Sequence, residues 1–370
     1  MSEVARHPDV HSPWSQWSEN QKLHVAVAYS NPFCWETRRQ LMNQFRDHMS
    51  HQANVVLHVG ELAYGDRPWE VTSRDNPLDI QLRTEHELFH KENLQNIIIS
   101  RFPSDWQYGM ACDADFNIVQ PTDWALGVIH KLQYYDWIQP FSWYVDLDPN
   151  NLPLRQNTGF FFNYIENGFE ISPQYHNGFI GADGKFVSGP SNEYEVAMVK
   201  PSSPAVTGRF MRGTGATGGA FAFTRYAFDT VGGMLDRCIL GHADWYMAHQ
   251  LVGIIPHTNF SGKYHSDYIK YIQGWGERAA ALKKNVGYVE AFAVHGFHGS
   301  KMKRAYGSRD SILAEEQYNP LYDVKPDWQG ILQLDDSRPH YMALRDKIRK
   351  YFLSRNEDDP SLYGNEKIIV

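Results

Sequence analysis

Cysteine is scarce in this chain of 370 residues: Cys34, Cys112 and Cys238 are the only three, far apart and in no metal-ligand spacing. That excludes a disulfide framework and points to a reducing compartment. No apolar run of about eighteen residues occurs, so no membrane-spanning helix is expected. Met1–Trp17 is polar and lacks the apolar centre of a signal peptide, and the expected location is the cytoplasm. Positive charge is short as well. Lys and Arg total 35 against 43 Asp and Glu, and the net charge of −8 gives no general attraction to nucleic acid or to an anionic membrane. There is no internal repeat and no low-complexity tract.

What is present suits a folded α/β protein. Hydrophobic residues make up 42% and charged residues 21%, which excludes disorder for the bulk of the chain. The length permits one large domain or two smaller ones. Aromatics reach 14%, with 11 Trp and 21 Tyr, enough to serve sugar or base stacking or simply a ring-rich core. The first 20 residues read as a loose arm. Strands are expected at Leu23–Ser30, Val55–Leu62, Trp106–Cys112 and Ala220–Phe223. Helices are expected at Thr37–Met49, Thr84–Phe102, Thr122–Tyr135, Arg225–Val231, Asp244–Leu251 and His340–Leu353. This alternation predicts a mostly parallel sheet with helices on both faces, whose ligands bind at the carboxyl ends of the strands. Asp146 to Thr214 has no clear period and reads as loops. Asn356–Asp359 reads as an acidic, frayed end.

Asp113-Ala114-Asp115 follows directly on the expected strand ending at Cys112. Two carboxylates two residues apart past a buried strand can converge on one hard cation if the chain turns there, and a solvated surface turn fits the same triplet. Lys91, Glu92, Asn93 and Asn96 lie on the preceding helix, where they suit a base, ribose or phosphate. A solvated helix face is the plainer reading, and the preferred one for Glu92 and Asn96. Gly213–Gly219 (GTGATGG) matches neither the phosphate loop nor the dinucleotide fingerprint, and serves as a turn or as close backbone approach. Asp244 opens a helix, as a cap or as a catalytic base. His295 and His298, three apart, can supply a metal ligand, and Lys301, Lys303, Arg304 and Arg309 follow, suited to a diphosphate or to solvent.

In order along the chain, Lys91-Glu92-Asn93-Leu94, Asp113-Ala114-Asp115, Gly219–Phe223, Gly241-His242-Ala243-Asp244, His295–Gly299, Arg304-Ala305-Tyr306 and the tail Tyr351–Asp359 resemble the GT-A class of DxD-containing glycosyltransferases found in tailed phages and bacteria. The resemblance covers about residues 23 to 359. It implies a Rossmann-like α/β fold with a nucleotide-sugar-binding half at 21–145, an acceptor-binding and catalytic half at 146–310 and a helical tail at 311–370, after the arm at 1–20. It implies a divalent metal, Mn or Mg, bound by Asp115, by Asp113 on the metal or the ribose, and by His298 ahead of His295. Lys91, Asn93, Asp113, Lys301 and Arg304 would bind the donor, and Asp244 would be the base. Two departures bear on stereochemistry: no Glu-Asp pair accompanies Asp244, and the histidine spacing differs from the retaining pattern His-x-x-Gly-x-x-Lys.

The expected activity is hexosyl or pentosyl transfer from a nucleotide diphosphate sugar, taken as a UDP-sugar, with inversion. The expected acceptor is a hydroxymethylated pyrimidine in phage DNA, which places the enzyme in the host cytoplasm. The basic stretches Lys301–Arg309 and Arg345–Arg355 would then follow the phosphate backbone, against the net negative charge. A cell-surface glycan or small-molecule acceptor, a sugar nucleotidyltransferase and a non-catalytic carbohydrate-binding protein are the alternatives. The second of these usually carries an N-terminal glycine-rich phosphate loop, which Val25–Phe33 lacks.

Overall fold

A computed structural model describes residues 21–167, 178–180, 186–188, 215–253, 264–305 and 309–359, with the backbone alone at 167, 178–180, 186–188, 301 and 302. The first half of the chain runs β1 (Leu23–Ser30), α1 (Glu36–Ser50), β2 (Val55–Tyr64), β3 (Asp79–Thr84), α2 (Lys91–Ile99), β4 (Tyr108–Cys112), β5 (Phe116–Gln120), α3 (Trp124–Lys131), β6 (Trp137–Gln139), β7 (Trp143–Leu147) and β8 (Pro153–Thr158). A short helix α4 (Phe160–Phe162) continues into a π-helical turn, and β9 (Gly178–Ile180) pairs with β10 (Phe186–Ser188). The rest comprises β11 (Ala220–Thr224), α5 (Arg225–Val231), α6 (Ala243–Leu251), α7 (Ser266–Ala279), β12 (Val286–Tyr288), β13 (Phe292–His295), α8 (Ser311–Glu315), β14 (Val324–Pro326), β15 (Leu332–Leu334) and α9 (Tyr341–Arg355). No helix among the described residues is long and apolar enough to cross a membrane.

The expected α/β class with a mostly parallel sheet is what forms. Seven strands lie in the order β12-β6-β11-β4-β1-β2-β3, and β11 alone runs antiparallel to its neighbours. β1 is apolar along nearly its whole length because both faces are covered. Its alternation sends Leu23, Val25, Val27 and Tyr29 to one core, with Met42, Phe45 and Met49 of α1. Ala26 faces the other, with Leu94, Ile98 and Ile99 of α2. On that second side Trp137, Phe223 and Trp275 are fully buried, each contributing about 1.5–3 kcal/mol by leaving water. Gly60 in β2 lets α2 sit down on the sheet, since a Cβ there would lie 2.7 Å from Ile98 Cδ1.

The helix expected over Thr84–Phe102 is shorter. Thr84 ends β3, an unexpected edge strand, and α2 begins only at Lys91. Thr84 Oγ1 accepts the His86 N–H and donates to Gln333, and the Phe89 N–H donates to the Ile239 carbonyl, so tertiary partners hold residues 85–90 out of helical form. The solvated face expected for Glu92 and Asn96 is also corrected. Glu92 is 2% exposed, and Asn96 bonds the backbone of Met234 through both amide atoms. Of the region expected to be loops, β7 and β8 are regular. The rest of it from 168 on, β9 and β10 apart, lies outside the described residues, as do the arm at 1–20 and residues 213–214. β7 and β8 belong to a second sheet, β5-β13-β7-β8, which packs under the carboxyl end of β4.

Candidate active site

The Asp113–Asp115 turn joins the two sheets. The Asp113 N–H donates to the Gly219 carbonyl at 2.8 Å, and the Phe116 N–H to the Asp113 carbonyl at 3.2 Å, so the chain leaves β4 and enters β5 within three residues. A side chain at Gly219, whose φ is +91°, would meet the Phe116 ring, so glycine is needed for this close approach. The Asp115 carbonyl accepts from Gly296 N at 2.7 Å, fixing the end of β13 beside it. Register then does the rest. Phe116 of β5 pairs with His295 of β13, His295 with Asp146 of β7, and Asp146 with Arg155 of β8.

Asp115, His295 and His298 are the described residues whose ligand atoms cluster as a metal site would, all within 4.8 Å of one another. His298 Nε2 lies 2.8 Å from Asp115 Oδ2, His295 Nε2 3.6 Å from Asp115 Oδ1, and the two Nε2 atoms 3.3 Å apart. The far side of each ring faces a buried carboxylate. His295 Nδ1 donates to Asp146 Oδ1 at 2.8 Å, and His298 Nδ1 is 3.9 Å from Glu357 Oε2. Asp146 is itself held by Arg155 and Asn157. For His295 this is how a protein fixes a metal-ligating histidine, with the proton on the outer nitrogen and the lone pair turned inward, while Glu357 acts on His298 through its charge alone.

Burial opposes charge on Asp115, but His298 and His295 beside it hold its carboxyl far below the usual range. Burial and the nearby Arg304 push His298 down to about 4, Asp115 opposing, so the imidazole is neutral at pH 7. Asp115 Oδ1 is buried and has no hydrogen-bond partner among the described residues. Three acceptors converging in this way need a proton or a cation among them, so the residues fit a divalent ion. Two imidazoles with one carboxylate suit Mn²⁺, Fe²⁺ or Zn²⁺ better than Mg²⁺, which prefers oxygen throughout. Both histidines stand in the cluster with Asp115, and Asp113 does not.

Asp113 turns instead to Lys91, 3.1 Å from Nζ, at the first residue of α2. Lys91 also approaches Glu92 at 3.3 Å. Burial would discharge Lys91, but Asp113, Glu92 and Asp244 outweigh it and hold the ammonium charged. Burial raises Asp113, with Lys91 opposing, and lifts Glu92 to about 7. Asp244 completes this group from the first turn of α6. It is not the cap residue, a position His242 holds at φ +70°. One Asp244 oxygen accepts the Trp245 N–H at 2.9 Å. Any side chain at Gly218 would run into the other.

The remaining expected residues are distributed differently. Asn93 is not in the cluster: its amide donates to the Gly330 carbonyl and accepts from Leu332 N, anchoring the start of β15 on α2. Arg304 is 6% exposed, and its charge acts on both Asp115 and His298. Lys301 opens a 3-10 turn at Lys301–Arg304, its side chain outside the described residues, as is Tyr306. The basic stretch at Arg345–Arg355 is not a free stripe. Arg345 pairs with Asp346, Lys347 with Glu315 and Glu316, Arg349 with Glu87, and Arg355 with Glu357. The end read as frayed is also corrected, since Glu357 is 1% exposed. Asp146 and Glu357 were missed because nothing local marks them. His295 stands 149 residues from Asp146, and Arg38 stands 319 residues from Glu357.

No protein-family model matches the chain, and no curated protein matches it. Among solved structures, the chain is similar to the catalytic domain of Drosophila β1,4-galactosyltransferase 7 in complex with xylobiose, at 10% identity over 89% of this chain and 98% of that one, with a TM-score of 0.37. It is also similar to a nucleotide-diphospho-sugar transferase from Desulfovibrio desulfuricans G20, at 9% identity over 90% and 98%, with a TM-score of 0.29.

Proposed function

We propose that this protein is a metal-dependent glycosyltransferase that moves a sugar from a nucleoside diphosphate donor to an acceptor hydroxyl. The observation that carries the reading is the Asp115, His295 and His298 cluster at the carboxyl end of β4, adjoining the Lys91–Asp113 pair and Asp244. These residues would hold a divalent ion, taken as Mn²⁺ from among those the donor set suits, and when bound it would offset the charge of the departing diphosphate. Lys91 and Arg304 add fixed positive charge beside the same leaving group. Asp244 accepts the acceptor's proton as the acceptor oxygen bonds to the anomeric carbon and the carbon–diphosphate bond breaks. One displacement of this kind inverts the anomeric centre.

The pairing of Arg345, Lys347, Arg349 and Arg355 with carboxylates weakens one of the two basic tracks that favoured DNA. A glycan or small-molecule hydroxyl is therefore the acceptor we favour over a hydroxymethylated pyrimidine. The test is nucleotide release from a panel of UDP-, GDP-, ADP- and TDP-sugars with Mn²⁺, Mg²⁺ or EDTA, with glycans and hydroxymethylated duplex DNA as acceptors. Expected is release with one donor, Mn²⁺ above Mg²⁺, lost with EDTA and in Asp115→Asn. Release indifferent to chelator and to Asp115→Asn would refute the reading.

A further inference from the structure

The small sheet carries a second feature at its other end. Phe292 begins β13 three residues before His295, and it pairs with Gln120 of β5 and Trp143 of β7. That row is about 10 Å along the strands from the metal row. Along β7, Tyr144 and Asp146 are buried while Trp143 and Val145 are half-buried, so Trp143 stands on the face opposite Asp146. Here a cleft of about 600 Å³ opens, lined by Trp143, Phe162, Tyr288 and Phe292 with Glu166 and Glu290. It lies on the other side of the sheet from the cluster described above.

We propose that this cleft binds a neutral oligosaccharide stretch and so holds the acceptor glycan on the enzyme; the acceptor role rests on the transferase reading. Its volume is within the roughly 300–1,000 Å³ of small-ligand sites. Four half-buried rings form the floor, while Glu166 and Glu290 are exposed at the rim. Phe162 stands between Trp143 and Tyr288, with centroid separations of 5.4 Å and 5.2 Å and planes inclined at 55° and 84°, which makes a trough instead of one flat stack. A pyranose has a complementary build, with C–H faces to lay on rings and hydroxyls at its edge to donate to carboxylates. The Tyr288 hydroxyl donates to Glu166 Oε1 at 2.6 Å and so orients that acceptor.

Charge narrows the ligand further. Burial raises the Tyr288 phenol, and Glu166 and Glu290 raise it again, so both carboxylates act on the trough. No Lys or Arg is among the described residues that line it; Lys131 approaches the Tyr288 ring at 5.8 Å without lining the cleft. Phosphates, nucleic acid and uronic acids are disfavoured by such a lining.

The test is binding of maltohexaose, cellohexaose and mannohexaose to the full chain, by ligand-observed NMR and calorimetry, with EDTA and without donor. At least one should bind, and Trp143→Ala should weaken it about tenfold or more. Glu290→Ala, at an exposed position that does not threaten folding, should weaken it severalfold, and Asp115→Asn should leave it unchanged. Failure of all three sugars to bind, unchanged affinity in both cleft variants, or choline competing the sugar away would overturn the proposal. Sugar binding in a chain that releases nucleotide from no donor would keep the cleft and remove the transferase. Nucleotide release without cleft binding would do the reverse.

Discussion

Replacing Glu357 by Gln keeps the volume of the side chain and removes its charge, which makes it a clean probe of the clamp behind the Asp115, His295 and His298 cluster. The carboxylate takes Arg38 at 2.6 and 2.9 Å and Arg355 at 2.7 Å, and is fully buried in doing so. Next to it, Asp358 accepts the N–H groups of Glu36 and Thr37, both at 2.9 Å, capping α1 from the far end of the chain. Burial disfavours the Glu357 carboxylate, but Arg355 and Arg38 outweigh it and bring its pKa from 4.5 down to about 2. A depressed carboxyl stabilises the fold above its unfolded pKa. The contribution is therefore complete above pH 4.5 and is lost as pH falls toward 2. At about 1.4 kcal/mol per unit the shift corresponds to about 3 kcal/mol. Leaving two guanidinium groups without their anion costs about 3–5 kcal/mol by the general behaviour of buried pairs. Urea unfolding at pH 7 should therefore show a loss of about 3 kcal/mol in Glu357→Gln, shrinking as pH is lowered through 4 toward 2. Because the same carboxylate backs His298, Mn²⁺ affinity should fall about tenfold. A loss under about 1 kcal/mol, constant across pH, would show that the clamp does not work as the distances suggest.

Asp146→Asn should raise the Mn²⁺ dissociation constant about 10- to 100-fold by calorimetry, since it releases the ring of His295; an unchanged constant would remove Asp146 from the site. Burial lowers His90 to about 4, and the residue is 2% exposed with Nε2 on the Leu332 carbonyl. Below pH 6.5 the unfolded chain binds a proton that the folded chain refuses until about 4, so stability falls with pH over that window, by about 3 kcal/mol for this residue. His90→Gln should flatten that part of the stability–pH curve, and an unaltered slope would refute the assignment. Gly218→Ala displaces the Asp244 carboxylate, and should lower kcat about 100-fold with little change in Tm; full activity would take Asp244 out of the reaction.

Elements coded by their own residues were legible. Leu23–Ser30 is a strand to the residue because it is apolar on both faces. Arg225–Val231 is a helix to the residue because Thr224 accepts the Ala227 N–H at its start and Gly232 turns left-handed at its end. Asp113-Ala114-Asp115 was equally visible as a turn past a buried strand, and Asp244 as a carboxylate opening a helix. The division of labour between the two aspartates was implied only in part, by the resemblance, which put Asp115 on the metal and Asp113 on the metal or the ribose. It depends on Lys91 reaching Asp113 from α2 and on β13 bringing His295 beside Asp115, and neither contact has a local signature.

The same reasoning explains the largest omission, the second sheet. Its strands are four to six residues long and come from three separate parts of the chain, too short for periodicity to declare them. Yet its register is what sets Phe116, His295, Asp146 and Arg155 in one row, and a slip of a single residue would turn Asp146 to the other face. The pairing of Gly296 N with the Asp115 carbonyl pins that register at the Asp115, His295 and His298 cluster, while one irregularity, between Phe292 and Ala293, falls at the aromatic end. A second irregularity, between Asp146 and Leu147 where β7 meets β8, lies just past the ligand row, so the regularly paired stretch of the sheet is the one that sets His295 and Asp146 side by side.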